Sequence, residues 1–346
     1  MSLPPSGEIP QGAIRFNTDS QRLEFYAQGE WWVMSTDTPN LGSIGGTLAF
    51  APNARDVTLG VRGVFMGGHN EPDPSQVWDI IDYVNIASTG NAVDFGNLLA
   101  AEQEGNAFSS STRGFHFGGD PADNEIETIV FASTGNATDF GDLTATSKTG
   151  TGLANATRGI AYLANGDVIN YVTMAATGVG IDFGNASFSS GSQGMGCASP
   201  TRGVFGGVFV SPATLNTLDF ITIATLGDAQ DFGDLSTTKF GGSGGSNATR
   251  GIFMNGYVAP VNVNNIEYIT ISTLGNSTDF GDSTQANSYT AGSASATRMI
   301  NGGGGGPITN IIDYVQIPTT GNAVDFGDLT QKRRHLEACS NGHGGL

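Results

Sequence analysis

The sequence has 346 residues, 52 of them glycine, and a formal net charge of −18, because 32 acidic side chains are balanced by only 14 lysines and arginines. The acidic balance argues against nucleic acid as a partner, since binding to phosphates needs clustered basic residues. No apolar segment reaches the roughly 18 residues that membrane insertion requires, and the missing Gly-X-Y period excludes a collagen-like chain.

Short apolar runs between Gly-, Ser- and Asn-rich segments predict an all-β fold with many tight turns. The first segment, residues 1–35, predicts a small β-meander with strands at 13–16, 23–26 and 31–34. A sheet of this size is marginally stable by itself, so its aromatic side chains need a further surface. We expect an assembly or attachment module; packing on its own chain is the alternative. The aromatic residues predicted for that role are Phe16, Phe25, Trp31 and Trp32.

Beyond a predicted linker at 36–46, residues 47–346 contain one tripeptide, Asp-Phe-Gly, six times at intervals of 43–49 residues. A protein kinase holds a catalytic magnesium with these three residues, but it has a single copy and a His-Arg-Asp loop before it, which this sequence lacks. Repetition at this period indicates a structural repeat. The aspartates of the six copies are Asp94, Asp139, Asp182, Asp231, Asp279 and Asp325.

An arginine recurs in step with the tripeptide, most often within Thr-Arg-Gly. It begins an apolar run such as "RGVFMGG", which is followed by a variable loop, an alternating segment such as "IIDYVNI", a polar turn and Asp-Phe-Gly. Four short strands per repeat predict a six-bladed β-propeller; a linear solenoid is the alternative. We expect residues 332–339 to close the ring as the innermost strand of the blade with the first arginine. The six arginines are Arg62, Arg113, Arg158, Arg202, Arg250 and Arg298.

The repeated residues predict structural roles. We expect the phenylalanine to pack between blades, the glycine to turn the chain, and the aspartate to accept a charge-assisted hydrogen bond from the repeated arginine. Calcium binding by pairs such as Asp139 and Asp142 is the alternative, although calcium takes about six to eight oxygen ligands. Neither a metal nor a cofactor is expected. Cys197 and Cys339 predict small buried side chains, and the basic run at 332–334 predicts a strand edge or a solvated face.

The glycine pair after the second strand, the repeat period and the arginine resemble the kelch repeat over residues 46–346. The kelch tryptophan after the fourth strand is missing, and Asp-Phe-Gly stands in its place. The stretches "TRGVFGG" and "DFGDL" more closely resemble kelch-like arrays in structural proteins of tailed phages, especially cyanophages, and "IRFNTDSQRLEFYAQGEWW" is similar to a motif of phage tail and fibre proteins. The resemblance implies a virion component, made in the host cytoplasm, that contacts other virion proteins and forms a homo-oligomer, a trimer by analogy with phage fibres.

The sequence shows no catalytic constellation. The four histidines lack metal-ligand spacing, no Gly-x-Ser-x-Gly motif is present, and the carboxylates follow the repeat instead of clustering in one exceptional blade. We therefore expect no enzymatic activity and assign no catalytic residue. A propeller glycoside hydrolase is the alternative.

The loops between the second and third strands differ from blade to blade, and they should all lie on one face of the ring. Recognition by a rigid scaffold usually involves such loops, and aromatic side chains in them can stack on sugars or contact a protein partner. A host cell-surface glycan is therefore one candidate partner, and pure virion architecture is the alternative. The candidate binding residues are His69, Asp73, Trp78, Phe209 and Tyr257.

Overall fold

The described elements are all β-strands, as the alternation of apolar and polar residues predicts. The protein is described here by a computed structural model that covers residues 13–17, 22–27, 30–33, 61–70 and 76–346. Two structural units are present, Met1–Gly60 and Val61–Leu346. The predicted linker at 36–46 lies outside the described residues.

The N-terminal unit contains the predicted three-stranded antiparallel meander. Its strands are β1 (Ile14–Asn17), β2 (Arg22–Ala27) and β3 (Glu30–Val33), in the order β1-β2-β3. The Arg15 guanidinium pairs with the Glu24 carboxylate at 2.7 Å and lies 4.2 Å above the Trp31 ring. The side chains of Phe16, Phe25 and Trp32 lie outside the described residues, so the assembly role of this segment stays a prediction.

The second unit is a six-bladed β-propeller, which confirms the predicted fold class. Each blade is an antiparallel sheet of four main strands. No blade alone can bury both faces of its sheet, so the blades pack on one another. Blade 1 contains β4 (Arg62–Met66), β5 (Ile80–Asn85) and β6 (Val93–Asn97); blade 2 contains β7 (Asn106–Ser109), β8 (Arg113–Phe117), β9 (Asp123–Val130) and β10 (Thr138–Ser147); blade 3 contains β11 (Thr151–Ala154), β12 (Arg158–Tyr162), β13 (Val168–Thr173) and β14 (Ile181–Asn185).

Blades 4 and 5 carry additional short strands on their loops. Blade 4 contains β15 (Met195–Ala198), β16 (Arg202–Gly206), the hairpin β17 (Phe209–Val210) and β18 (Ala213–Thr214), β19 (Thr217–Thr222) and β20 (Gln230–Asp234); blade 5 contains β21 (Ser243–Ser246), β22 (Arg250–Met254), β23 (Tyr257–Val258), β24 (Val261–Thr270) and β25 (Thr278–Asn287); blade 6 contains β26 (Ala291–Ala294), β27 (Arg298–Gly302), β28 (Ile311–Gln316) and β29 (Val324–Asp328).

The last strand, β30 (Glu337–Ser340), closes the ring. It pairs with β4 and supplies the innermost strand of blade 1, with Cys339 opposite Val64. The predicted closure is therefore confirmed, with a strand that begins later than expected. Both cysteines are buried free thiols, as predicted, and burial raises the pKa of each to about 12.

The basic run that precedes β30 differs from its prediction. Arg333 is fully buried and forms a 3.0 Å ion pair with Asp82, which is also fully buried. Its guanidinium also donates hydrogen bonds to the carbonyl oxygens of Phe65, Gly67 and Ile80. The expectation of a strand edge or solvated face is wrong for this arginine, because blade 1 holds a buried carboxylate that needs a cationic partner.

The six Asp-Phe-Gly segments form the blade boundaries. In every copy the phenylalanine ring is buried, and its carbonyl accepts a hydrogen bond from a glycine N–H in the turn of the following blade, for example Gly135 to Phe95 at 2.8 Å. The tripeptide glycines have φ of 141–152°, and a Cβ on any of them would meet the backbone of that turn. The tripeptide is therefore a contact between blades and has no similarity in role to a kinase magnesium loop.

The predicted pairing of tripeptide aspartate and repeated arginine is wrong. All six aspartates are exposed, and five of the six arginines instead donate to carbonyl oxygens of the following blade, as Arg158 does to Ile223 at 2.9 Å. Each of these five arginines also lies over an aromatic ring on the third strand of its own blade. The pairs are Arg62 with Tyr83, Arg158 with Tyr171, Arg202 with Phe220, Arg250 with Tyr268 and Arg298 with Tyr314, at 4.3–4.8 Å.

Arg113 is the exception among the repeated arginines of the described chain, because Thr128 stands where the other blades have a ring. Replacing Arg158 with alanine should lower the free energy of unfolding by about 1–2 kcal/mol, since it removes a hydrogen bond to the next blade and a cation–π contact within its own blade. Arg113→Ala is the matched control and should cost less than about 0.5 kcal/mol. Urea unfolding compares the two variants, and equal losses would contradict the role of these contacts.

A second set of contacts between blades escaped the sequence analysis. One polar residue of each third strand is at most 4% exposed and accepts a hydrogen bond from the segment after Asp-Phe-Gly of the preceding blade. These residues are Asp82, Glu127, Asn170, Asp219, Glu267 and Asp313. The buried carboxylates of the repeat are therefore on the third strand. Burial raises the pKa of Asp219 and Asp313 despite these bonds.

Candidate binding site

The innermost strands of the six blades surround an axial channel. Their small side chains let them approach closely: a Cβ added to Gly152, Gly196 or Gly244 would meet the backbone of the innermost strand of the preceding blade. A polar cavity of about 90 Å³ remains within the channel. The channel is therefore too narrow for a sizeable ligand along its length, and binding by large molecules is restricted to its ends.

The C-terminal residues cover one end of the channel. The imidazole Nε2 of His343 lies 2.8 Å from the carbonyl oxygen of Ser109, and a Cβ on Gly344 or Gly345 would meet backbone atoms of Asn247 and Ala154 respectively. The tail therefore lies across the end that carries the Thr-Arg-Gly turns. The opposite end, which we call the loop-side mouth, carries the loops between second and third strands, and their predicted shared face is confirmed by the strand registers.

Six residues form a closed ring of backbone hydrogen bonds around the loop-side mouth. Each stands shortly before an innermost strand, and its N–H donates to the carbonyl of the equivalent residue in the preceding blade, at 2.7–3.0 Å in five of the six bonds. The ring residues are Glu104, Thr149, Gln193, Gly241, Tyr289 and His335. Together they line a cavity of about 70 Å³ at the mouth.

All six ring residues have left-handed backbone conformations. Gly241 has φ of 65°, whereas the five others, which carry side chains, have φ of 53–60°. This region costs a non-glycine residue roughly 1 kcal/mol or more, and such residues persist where the surrounding structure holds them. The hydrogen-bonded ring provides that restraint, because each backbone is held by two neighbouring blades.

Aromatic and imidazole rings form a continuous chain on one side of the mouth. Phe209 lies 5.2 Å from Phe240, which lies 5.5 Å from Tyr257 and 6.3 Å from Tyr289. Tyr289 stacks on His335 at 4.1 Å. His335 in turn stacks on His69 at 5.3 Å.

Three of the predicted binding residues, His69, Phe209 and Tyr257, thus belong to one arrangement. Phe240, Tyr289 and His335, which connect them, were missed by the sequence analysis. The signal for Tyr289 and His335 was their shared repeat position just before an innermost strand.

The other two predicted binding residues do not join this chain of rings. Trp78 is half-buried, and its indole N–H is buried without a hydrogen-bond partner among the described residues. Its backbone N–H donates a hydrogen bond to the carbonyl of Gly68, and its carbonyl accepts one from the N–H of Glu102, so that Trp78 packs against blade 1. Asp73 lies outside the described residues.

Charged side chains around the mouth are paired with neighbouring polar groups. Lys148 contacts the carboxylates of Glu104 at 3.0 Å and Asp120 at 3.1 Å, and Arg334 donates to His69 at 3.1 Å. Burial, His69 and nearby cations lower the pKa of His335 to about 3, so this imidazole is neutral at physiological pH. The mouth therefore offers little unpaired charge to a ligand.

Blade 2 contains a buried cluster of ionisable groups. His116 of β8 pairs with Glu337 of the closing strand at 2.5 Å, and Glu102, Glu127 and Asp123 lie near them. The expectation that carboxylates follow the repeat without clustering in one blade is therefore wrong. Burial and Asp123 raise the pKa of Glu102 to about 7. Burial alone would lower the pKa of His116, but Glu337, Glu127 and Glu102 raise it to about 9.

This cluster predicts that stability falls as pH rises from about 5 to 9. Glu102 holds its proton more tightly when folded, so its contribution is lost between its usual pKa of 4.5 and about 7; that of protonated His116 is lost between 6.5 and about 9. Glu102→Gln should therefore raise the free energy of unfolding at pH 8.5 by about 1–3 kcal/mol and change little at pH 5. Asp94→Asn, at an exposed position, is the control, and a wild-type curve that is flat over this range would contradict the assignment.

Within residues 61–70 and 76–346 and the described meander, no group of three or more His, Cys, Asp or Glu side chains is arranged to hold a metal ion. The same residues include no helix long and apolar enough to cross a membrane. Comparison of the sequence with protein-family models and with curated proteins finds no match.

Proposed function

We propose that the protein is a non-enzymatic structural component of a tailed-phage virion, in which a rigid propeller presents its loop-side face for assembly or host-surface recognition. The observation that carries the proposal is the six-fold repetition of the blade-boundary contacts at Asp-Phe-Gly, within repeats that resemble phage kelch-like arrays. A scaffold needs such uniform boundaries, whereas an enzyme needs a convergent acid, base or nucleophile that departs from the repeat. The departure in blade 2 is buried and offers no nucleophile.

Location on the particle is tested by immunogold electron microscopy. Antibodies against residues 61–346 should label purified particles of a phage that encodes this chain. Labelling of the tail, baseplate, fibre or capsid surface would support the proposal and assign the position. The proposal would be refuted if the particles carry no label and mass spectrometry does not detect this chain in them.

The N-terminal unit is the proposed attachment module. Its three strands form a sheet too small to be stable alone, and Ile14 is 63% exposed. The acidic propellers repel one another and are poor candidates for the contact. We expect the full chain to sediment as an oligomer, a trimer by the fibre resemblance, and residues 61–346 as a monomer. If the full chain and residues 61–346 both sediment as monomers at micromolar concentration, the assembly role is refuted.

Glycan binding independent of any virion is the second candidate function. The rings of Phe209 and Tyr257 favour it, because half-buried aromatic rings at a mouth can stack on the apolar face of a sugar. A glycan array probed with the purified protein tests this candidate. The expected outcome for a purely architectural protein is no bound glycan.

A further inference from the structure

The five side chains on the hydrogen-bonded ring stand where glycine would be the unstrained choice. Glycine adopts positive φ without penalty, and this chain has glycine at 22 described positions with such φ. At the mouth only Gly241 follows that solution. Glu, Thr, Gln, Tyr and His occupy the other five equivalent positions, and all five line the same cavity. Strained residues of this kind cluster at ligand-contacting sites.

We propose that the loop-side mouth is a binding site for a neutral saccharide, in which the ring side chains bond to sugar hydroxyls and the half-buried rings of Phe209 and Tyr257 stack on the sugar. This site gives the glycan candidate a location, and it stands whether or not the chain belongs to a virion.

The polar groups at the mouth suit hydroxyl ligands. The side-chain amides of Gln193 and Asn106 line the cavity and form no hydrogen bond with the described residues. An amide both donates and accepts hydrogen bonds, so these two side chains can bond to sugar hydroxyls.

The charged side chains at the mouth favour a neutral ligand over an ionic one. Lys148 is shared by Glu104 and Asp120, and His335 is neutral. A charged sugar would have to separate these pairs, while the overall charge of −18 opposes uronic and sialic acids.

The shape of the mouth favours a sugar that lies against one wall. Blades 4 and 5 raise the β17–β18 hairpin and β23 beside the mouth, and these elements carry Phe209 and Tyr257, both half-buried. Across the ring from blade 5, blade 2 has only residues 118–122 between its second and third strands. A pyranose has an apolar face and a hydroxyl rim, which match an aromatic wall opposite polar groups. The cavity of about 70 Å³ admits one projecting hydroxymethyl group.

Substitution by glycine separates binding from folding at this site. Gln193→Gly relaxes a strained φ and removes an amide that bonds to nothing else, so the melting temperature should stay the same or rise while saccharide binding falls at least about tenfold. Ser190→Gly is the matched control, because Ser190 also has positive φ, 56°, but lies outside the cavity lining. Phe209→Ala tests the aromatic wall and should weaken binding with a modest loss of stability.

The probes are the methyl glycosides of glucose, galactose, mannose and N-acetylglucosamine, with glucuronate and glucosamine as charged comparators. Saturation-transfer NMR detects binding to the full chain and calorimetry measures its strength. We expect saturation transfer to at least one neutral glycoside, which Gln193→Gly abolishes and Ser190→Gly preserves.

Three results would overturn the site: no transfer to any neutral glycoside, binding of the charged sugars alone, or binding that Gln193→Gly leaves undiminished. Unfolding of Gln193→Gly would overturn the premise that this side chain has no structural role. Immunogold labelling without sugar binding would leave the virion proposal intact and refute only the site.

Discussion

Deletion of residues 331–346 should abolish the cooperative melting of the propeller or lower its melting temperature by about 10 °C or more. The deletion removes β30, so that β4 loses its pairing partner and blade 1 its innermost strand. It also removes Arg333 and leaves Asp82 buried without its cation, which alone costs about 3–5 kcal/mol. Far-ultraviolet circular dichroism during heating, which reports the loss of β-structure, would measure the effect.

A shorter deletion, of residues 342–346, is the matched control. It removes the tail that covers the channel end but keeps β30 and Asn341, whose side chain accepts a hydrogen bond from the backbone of Arg62. We expect it to melt within a few degrees of the full chain. Arg333→Met separates the two causes, because it removes the buried ion pair and keeps the strand. If the chain that ends at residue 330 melted like the full chain, ring closure by β30 would not hold the propeller together.

The architecture could be predicted because its determinants recur along the chain. The blade number follows from the six copies of one tripeptide and the six arginines in step with it. The closure follows from the terminal segment, which matches the segment before Thr-Arg-Gly in the other repeats. The partner of each arginine could not be predicted in this way. The tripeptide contains a β-bulge, visible in blade 1 where Gly96 pairs with Ile81 and Asp94 with Asp82, and a period-two pattern does not show where a bulge falls.

The binding site could be predicted only in part, for a related physical reason. Loop aromatics such as Phe209 and Tyr257 were visible as departures from the repeat, and the structure does bring them together. The ring of left-handed residues was not visible, because Glu104, Gln193 and Tyr289 share no residue type. Their conformation is imposed by hydrogen bonds between blades, which join residues more than 40 positions apart in sequence. Only Gly241 is of a residue type that predicts a left-handed conformation.

Gly141→Ala should lower the free energy of unfolding by about 2–5 kcal/mol. Gly141 is the glycine of the second Asp-Phe-Gly and has φ of 146°, which costs an L-residue about 1–2 kcal/mol. Its new Cβ would also press on the carbonyl group of Gly178 in the turn of blade 3, and overpacking of this kind costs about 1–3 kcal/mol. The backbone of that turn has to move, which weakens the hydrogen bonds from Gly178 to Phe140 and from Gly180 to Asp142.

Gly178→Ala is the control from the other side of the same boundary. Gly178 does not have a left-handed φ, and a Cβ there has no neighbour within 4 Å, so the change should alter stability by less than about 0.5 kcal/mol or raise it slightly. Urea unfolding of the two variants measures the contrast directly, since both replace one glycine by alanine at a single contact. Equal stabilities would mean that the blade boundary tolerates a side chain at Gly141, and that the recurrence of glycine in all six tripeptides has a cause other than the close approach of neighbouring blades.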